Sequence, residues 1–205
     1  MLEVFQKSFS IDAALSVRSS RNTPYSGAVD WHELIEGFGG VSFERGLYRV
    51  IQASDVEEWN ARVAVAFPEF DERVACFGFD WLGRVFAIDP ARSEHGQPGV
   101  VMFEPGTGEA LEIPCNIGTF HDEELVEYGD AALASDFHQR WLKNGGSAPR
   151  YEQCVGYRKP LFLRGADELS NLEMSDIDVY WHLMGQLIRK AKGLPPGTPI
   201  RIGLS

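Results

Sequence analysis

Four short apolar segments separated by tight, glycine-rich turns constrain the fold of this chain more than any other feature. They cover residues 74–79, 84–89, 100–103 and 110–114. Their β-branched and aromatic content is typical of strands. The connection over residues 104–109 has the composition of a hairpin, and tight turns of this kind join antiparallel neighbours. The sequence therefore predicts an antiparallel β-meander.

A tight corner separates the first two of these segments. It is formed by Trp81, Leu82 and Gly83, and it is flanked by Asp80 and Arg84. An exposed aromatic side chain with charged neighbours makes a good anchor for a protein interface. We therefore predict that Asp80, Trp81 and Arg84 are exposed and bind a partner. The other tryptophans stand where helix or strand periodicity predicts burial.

Helices are expected on both sides of the meander. Asp30 is the predicted N-cap of a helix that ends at Phe38, and Ser54 is the predicted N-cap of a helix that ends near Ala66. Helical periodicity continues at 131–143 and in an amphipathic helix that ends at Lys192. A further strand is expected at 200–202.

These elements predict an α+β fold with a mainly antiparallel sheet of four to six strands flanked by helices. A chain of 205 residues with 44% hydrophobic and 24% charged residues is expected to form one domain. Within that domain, 1–205, we distinguish an N-terminal arm (1–28), a helix and strand region with the meander (29–118), and a mainly helical region (119–205).

The net charge of −11 is concentrated in the middle of the chain. Residues 51–150 contain 18 acidic and 7 basic side chains, whereas the two flanking segments are almost neutral. A negative field repels phosphate backbones and anionic lipid and attracts basic partners. The charge therefore argues against binding to nucleic acid or membranes, although an acidic surface that only maintains solubility would have the same composition.

The cysteines and the N-terminus indicate a reducing compartment. Cys76, Cys115 and Cys154 are widely spaced, which favours buried free thiols over a metal site or a redox pair. The first ten residues lack the basic start and apolar run of a signal peptide, and no apolar stretch approaches ~20 residues. A cytoplasmic location is expected.

Motifs for catalysis, cofactors and metals are not recognisable. The chain contains no Gly-x-Ser-x-Gly elbow and no phosphate-binding glycine loop. His121 and Glu124 have the i, i+3 spacing of a metal-ligand pair, but acidic residues are also common at the start of a helix. We therefore predict no catalytic residue, no metal and no cofactor, and a protein that is not an enzyme.

At this point several segments together resemble a known family. The likeness rests on five segments: Val74 to Asp89, Met102 to Gly108, Pro160 to Gly165, Asn171 to Glu173, and Asp178 to Trp181. Through these segments the chain resembles the GAD-like family of bacterial immunity proteins, which is linked to type VI secretion DNase effectors. The likeness extends over about residues 39–187. Arg164 departs from it, since a second glycine is expected in that turn. SMI1/KNR4-type immunity proteins are an alternative assignment.

The resemblance implies a protein that binds and neutralises a toxin without catalysing a reaction. Nuclease toxins need a positive surface to hold nucleic acid, so an acidic protein can associate with that surface quickly. The candidate toxin-binding residues are the acids of the central region together with the corner: Asp55, Glu57, Glu58, Glu69, Asp71, Glu72, Asp80, Trp81, Arg84, Asp122, Glu123, Glu124 and Glu127. The toxin and the oligomeric state do not follow from the sequence.

Two other classes of function remain open at this stage. The chain could be an enzyme with a pocket between the sheet and the C-terminal helices, with His182, Asp178 or Glu173 as acid or base. It could also be a small-ligand-binding or regulatory domain. Polar groups that converge in a deep pocket would favour these classes, whereas a broad acidic patch would favour immunity.

Overall fold

The computed structural model describes residues 2–14 and 29–194. Residues 15–28 of the predicted N-terminal arm and the strand predicted at 200–202 lie outside the described residues. The helices and strands follow in chain order as α1 (Glu3–Ser8), β1 (Ile11–Ala14), α2 (Val29–Phe38), β2 (Val41–Phe43), β3 (Tyr48–Val50), α3 (Val56–Ala66), β4 (Ala75–Asp80), β5 (Val85–Glu94), β6 (Gln97–Glu104), β7 (Glu109–Asn116), α4 (Ile117–Thr119), α5 (Leu125–Glu127), α6 (Gly129–Leu133), α7 (Ser135–Lys143), β8 (Gln153–Tyr157), β9 (Leu172–Asp176) and α8 (Ile177–Ala191).

A seven-stranded antiparallel sheet forms the centre of the protein. Its strands pair in chain order, β1 to β7, although helices α2 and α3 interrupt the sequence between them. The predicted α+β class, the antiparallel sheet and the meander over β4 to β7 are confirmed. The predicted number of four to six strands is too low, because β1 and β2 are only four and three residues long. Strands β8 and β9 form a separate two-stranded sheet.

Helices cover the two faces of the sheet. On one face, Phe120 contacts Phe86, and Phe5 contacts Tyr48. On the other face, Trp59 of α3 stacks on Phe79 at 4.9 Å between ring centroids. Phe86 pairs with Gly78, the neighbour of Phe79, so the two aromatic groups lie on opposite faces of the sheet. Helix α8 packs beside α3 on the second face.

The apolar stripes of the two predicted helices are confirmed, but their N-caps are not. Val56, Trp59, Val63 and Ala66 of α3 are all buried, as the spacing of one face requires. Ser54 does not cap α3, because a 3₁₀ turn precedes the helix and its last residue takes the N-cap position.

Helix α2 begins two residues earlier than the predicted N-cap at Asp30 implies. It starts at Val29, so Asp30 lies in its first turn instead of at the N-cap. A carboxylate in the first turn still interacts favourably with the helix dipole. Trp31, Leu34 and Ile35 are buried as expected, and Phe38 is partly buried against the core.

The corner between β4 and β5 is buried, so the prediction of an exposed anchor is wrong. Asp80 and Trp81 have no exposed surface, and Arg84 retains 6%. The Asp80 carboxylate accepts hydrogen bonds from the backbone N–H groups of Leu82 and Arg84, at 3.0 and 2.9 Å, and from Arg84 Nε at 2.6 Å. Gly83 adopts φ +78°, and a Cβ there would come within 3.3 Å of Cys154.

Burial of the corner follows from the C-terminal half of the chain folding over it. The Val155 N–H of β8 donates to the Trp81 carbonyl at 2.7 Å. Trp181 Nε1 of α8 donates to the Gly83 carbonyl at 2.8 Å, and Trp81 Nε1 donates to the Leu133 carbonyl of α6 at 3.0 Å. The corner thus connects the meander to three later elements.

Arg49 of β3 is a second buried cation beside the corner. It has no exposed surface, and its guanidinium donates to the backbone carbonyls of Asp80, Arg150 and Gln153. The same group lies 4.5 Å above the ring of Phe79. Arg49 therefore holds the segment before β8 against the central sheet.

Removal of the buried corner carboxylate should strongly destabilise the fold. We expect Asp80→Ala to lower the free energy of unfolding by about 3–5 kcal/mol, because the buried Arg84 guanidinium loses its counter-ion. Urea denaturation measures this change. Asp71→Ala, at an exposed acid, should change stability by less than about 0.5 kcal/mol. A loss below about 1 kcal/mol for Asp80→Ala would contradict the role of the corner.

Candidate functional site

The candidate toxin-binding acids do not form one surface. They divide into the start of α3 (Asp55, Glu57, Glu58), the turn after α3 (Glu69, Asp71, Glu72) and the stretch between the end of α4 and the end of α5 (Asp122, Glu123, Glu124, Glu127). The corner residues Asp80, Trp81 and Arg84 are buried and belong to none of these surfaces. Each acidic group is therefore a separate candidate surface.

The acids at the start of α3 are joined by acids that were not among the predicted toxin-binding residues. Asp55 and Glu58 line one hollow together with Glu152 and Asp178. Asp176 is close enough to raise the pKa of the Asp178 carboxyl. We call these five side chains, Asp55, Glu58, Glu152, Asp176 and Asp178, the acidic face. Glu57 is exposed in the same turn of α3.

Arg62 lies at the centre of the acidic face but does not cancel its charge. Its guanidinium contacts Glu58 at 2.5 Å and Asp178 at 2.7 Å, and it lies 4.6 Å above the ring of Trp59. Burial raises the pKa of the Asp178 carboxyl, Arg62 opposes this effect, and the neighbouring carboxylates Asp176, Glu58 and Asp55 add to it. The acidic face contains five carboxylates, and Arg62 pairs with only two of them, so the face remains negative.

An open groove of about 450 Å³ runs beside the acidic face between α3 and α8. Its apolar lining includes Val65, Val179 and Leu183, which are 44%, 53% and 37% exposed. Trp181 forms part of the lining and is buried. Sequence reasoning missed this groove, although the i, i+4 spacing of Val179 and Leu183 among polar neighbours could have revealed an apolar stripe on the outer side of α8.

The other two acidic groups have different surroundings. Glu69 forms an ion pair with Lys192 at 3.0 Å, while Asp71 and Glu72 are exposed in the turn before β4. Asp122 accepts a hydrogen bond from the Phe5 N–H at 3.0 Å, which ties it to α1. The group from Asp122 to Glu127 belongs to the helical layer on the opposite side of the sheet from α3 and α8. The acids at the start of α3 and the acids at 122–127 therefore lie on opposite sides of the sheet. A single flat partner surface cannot contact both.

His121 serves the core and not a metal site. Its Nδ1–H donates to the Ile117 carbonyl at 2.7 Å, and the Tyr48 hydroxyl donates to Nε2 at 2.9 Å. Both ring nitrogens are therefore occupied by protein groups. In the described part of the chain, no three His, Cys, Asp or Glu side chains converge as metal ligands.

The residues of the enzyme hypothesis have separate partners. Asp178 pairs with Arg62, His182 contacts Gln186 at 2.7 Å, and Glu173 pairs with Arg158 at 3.3 Å. Asp178 and His182 line the same open groove, but His182 is exposed there.

All three cysteines are buried free thiols, as predicted. Burial raises the pKa of the Cys115 thiol to about 12, and burial also raises the pKa of Cys76 and Cys154. Thiolates are therefore scarce near neutral pH, and the thiols are poor nucleophiles.

Arg164 retains the turn that a glycine was expected to form. It adopts φ 63° and ψ 34° after the short 3₁₀ helix Leu161–Leu163, and its side chain is exposed. The left-handed conformation costs a non-glycine residue roughly 1–2 kcal/mol. The neighbouring Gly165 donates its N–H to the Pro160 carbonyl, so the turn is closed.

Comparison with solved structures supports the fold. The crystal structure of Atu4351 from Agrobacterium tumefaciens is similar, with a TM-score of 0.53 and 15% sequence identity over 91% of this chain and 89% of that chain. At this identity the likeness concerns the fold alone. No protein-family model and no curated protein matches the sequence. Within residues 2–14 and 29–194, no helix has the length and apolarity needed to cross a bilayer.

The buried histidines should make stability depend on pH. Burial lowers the pKa of His121 and of His138 to about 4, from an ordinary value of 6.5. Between these values the unfolded chain binds protons that the folded protein does not bind. The free energy of unfolding should therefore fall as the pH decreases from about 6.5 to about 4, by up to about 1.4 kcal/mol per pH unit for each histidine.

Urea denaturation at several pH values can measure the contribution of one histidine. His121→Gln should reduce the slope of stability against pH in this window, because the substituted residue does not titrate. His95→Asn, at an exposed hairpin turn with φ 53°, is the matched control for replacing a histidine outside the core. An unchanged slope in His121→Gln would contradict the assignment of a buried neutral imidazole.

Proposed function

We propose that this protein is a cytoplasmic bacterial immunity protein that binds and neutralises a basic effector domain. The observation that carries the proposal is the acidic face, which brings together carboxylates from three separate segments of the chain: Asp55 and Glu58, Glu152, and Asp176 and Asp178. The resemblance to GAD-like immunity proteins supports the same function. Nuclease effectors are the class that suits such a face best, because they carry positive charge to hold nucleic acid.

Electrostatics explains how such a face would neutralise an effector. Opposite surface potentials accelerate encounter between two proteins, and an immunity protein must reach its effector before the effector reaches its substrate. Bound carboxylates would then occupy the positive surface that the effector uses for phosphates. This mode of inhibition requires no catalytic group in the immunity protein. The exposed, separately paired Asp178, His182 and Glu173 favour it over the enzyme hypothesis.

Co-expression with each effector domain encoded beside this gene tests the function directly. We expect growth of the host to be restored and the two chains to purify together on a tag carried by one of them. Cells that express the effector domain alone provide the control. Continued toxicity and absence of a complex with every neighbouring effector would contradict the proposal.

Association kinetics test which acidic group binds. The triple variant Asp55→Asn, Glu58→Gln, Glu152→Gln should associate roughly three- to tenfold more slowly at low ionic strength, and salt should reduce this difference, because exposed charges act mainly on the on-rate. The variant retains the ion pair between Arg62 and Asp178. Stopped-flow or biosensor measurements give the rates.

The matched control neutralises three acids on the opposite side of the sheet. The control variant is Glu123→Gln, Glu124→Gln, Glu127→Gln, which changes the net charge by the same amount. If the association rate depended only on total charge, both variants would associate equally slowly. We expect the control to remain close to the wild-type rate. If the control variant associated more slowly and the first variant kept the wild-type rate, the interface would lie at the acids of 122–127.

A further inference from the structure

The groove between α3 and α8 combines an apolar centre with a negative rim. Val65, Val179 and Leu183 are three of the large hydrophobic residues that remain exposed in the described chain, and they line one groove. Glu58 and Asp178 belong to both this groove and the acidic face. An apolar centre bordered by charge is the common arrangement of a protein interface.

The shape of the groove indicates which kind of peptide segment it can bind. Its walls are two helices, whose backbone groups are hydrogen-bonded internally, so it offers no free strand edge to an extended peptide. Trp181, the tryptophan in its lining, is 2% exposed, so it does not provide the aromatic surface that proline-rich segments need. Val179 and Leu183 form an i, i+4 stripe that matches the apolar side of another helix.

The charge of the rim indicates whether the partner is basic or acidic. Arg62 is engaged by Glu58 and Asp178, so the cation in the groove is not available to an anionic ligand. The two carboxylates of the rim outnumber this one cation, so the rim favours a partner that presents lysine or arginine residues. A second copy of this chain carries the same net charge of −11 and would be repelled.

We propose that this groove binds a basic amphipathic helix of the effector, with apolar side chains inserted between Val65, Val179 and Leu183 and with lysine or arginine residues directed at Glu58 and Asp178. The inference rests on the proposed immunity function and specifies where and how the partner binds. A Cβ at Gly185 of α8 would lie 3.4 Å from Val65, an ordinary van der Waals contact, so α3 and α8 are neighbours at this end of the groove.

The test uses full-length protein and the effector domain that passes the co-expression assay. Val179→Ser with Leu183→Ser should weaken binding at least about tenfold, mainly through faster dissociation, since central apolar contacts contribute most to affinity. Thermal unfolding should remain near that of the wild type, because both side chains are exposed. The conservative pair Val179→Ile with Leu183→Met should retain near wild-type affinity.

A matched control removes apolar surface elsewhere. Leu111→Ser with Tyr128→Ser changes two residues that are 41% and 56% exposed outside the groove, and it should bind like the wild type. Wild-type affinity in the Val179→Ser, Leu183→Ser variant would overturn the groove assignment while the immunity function stands. Failure of the wild-type protein to bind any neighbouring effector would overturn both proposals.

Discussion

A carboxylate that has lost contact with water is stable inside a protein only when donors surround it, and the rest of this structure depends on how Asp80 meets that condition. Its donors come from its own turn, the N–H groups of Leu82 and Arg84 and the Arg84 guanidinium. With the charge satisfied locally, the outer carbonyls of the corner are free to accept bonds from β8 and α8. The antiparallel sheet and the C-terminal layer are joined through this corner.

Local patterns in the sequence were sufficient to predict the strands of the meander and the buried sides of α2 and α3. Their side chains repeat with the period of a strand or a helix, so neighbours along the chain contain the necessary information. The corner was misread because Asp80, Trp81 and Arg84 have the composition of an exposed turn. Burial there depends on Leu133, Val155 and Trp181, which are 50 to 100 residues away along the sequence.

The acidic face also depends on residues that are distant in the sequence, so local patterns did not predict it. Asp55, Glu57 and Glu58 were selected because they are adjacent in the sequence, but Glu152, Asp176 and Asp178 join them only after the C-terminal half has folded onto α3. The sequence also could not separate the acids at α3 from those at 122–127, since charge alone does not assign a face of the sheet. The very short β1 and β2 gave too weak a pattern to be counted as strands.

The two sides of helix α8 have different surroundings. Its inner side is attached to the corner through the bond from Trp181 to Gly83, while Val179 and Leu183 project outward from the same turns. Because the inner attachment fixes the helix axis, the outer side chains are held in place before any partner arrives. A surface organised in advance loses little conformational entropy on binding, and a partner can dock on it as a rigid body.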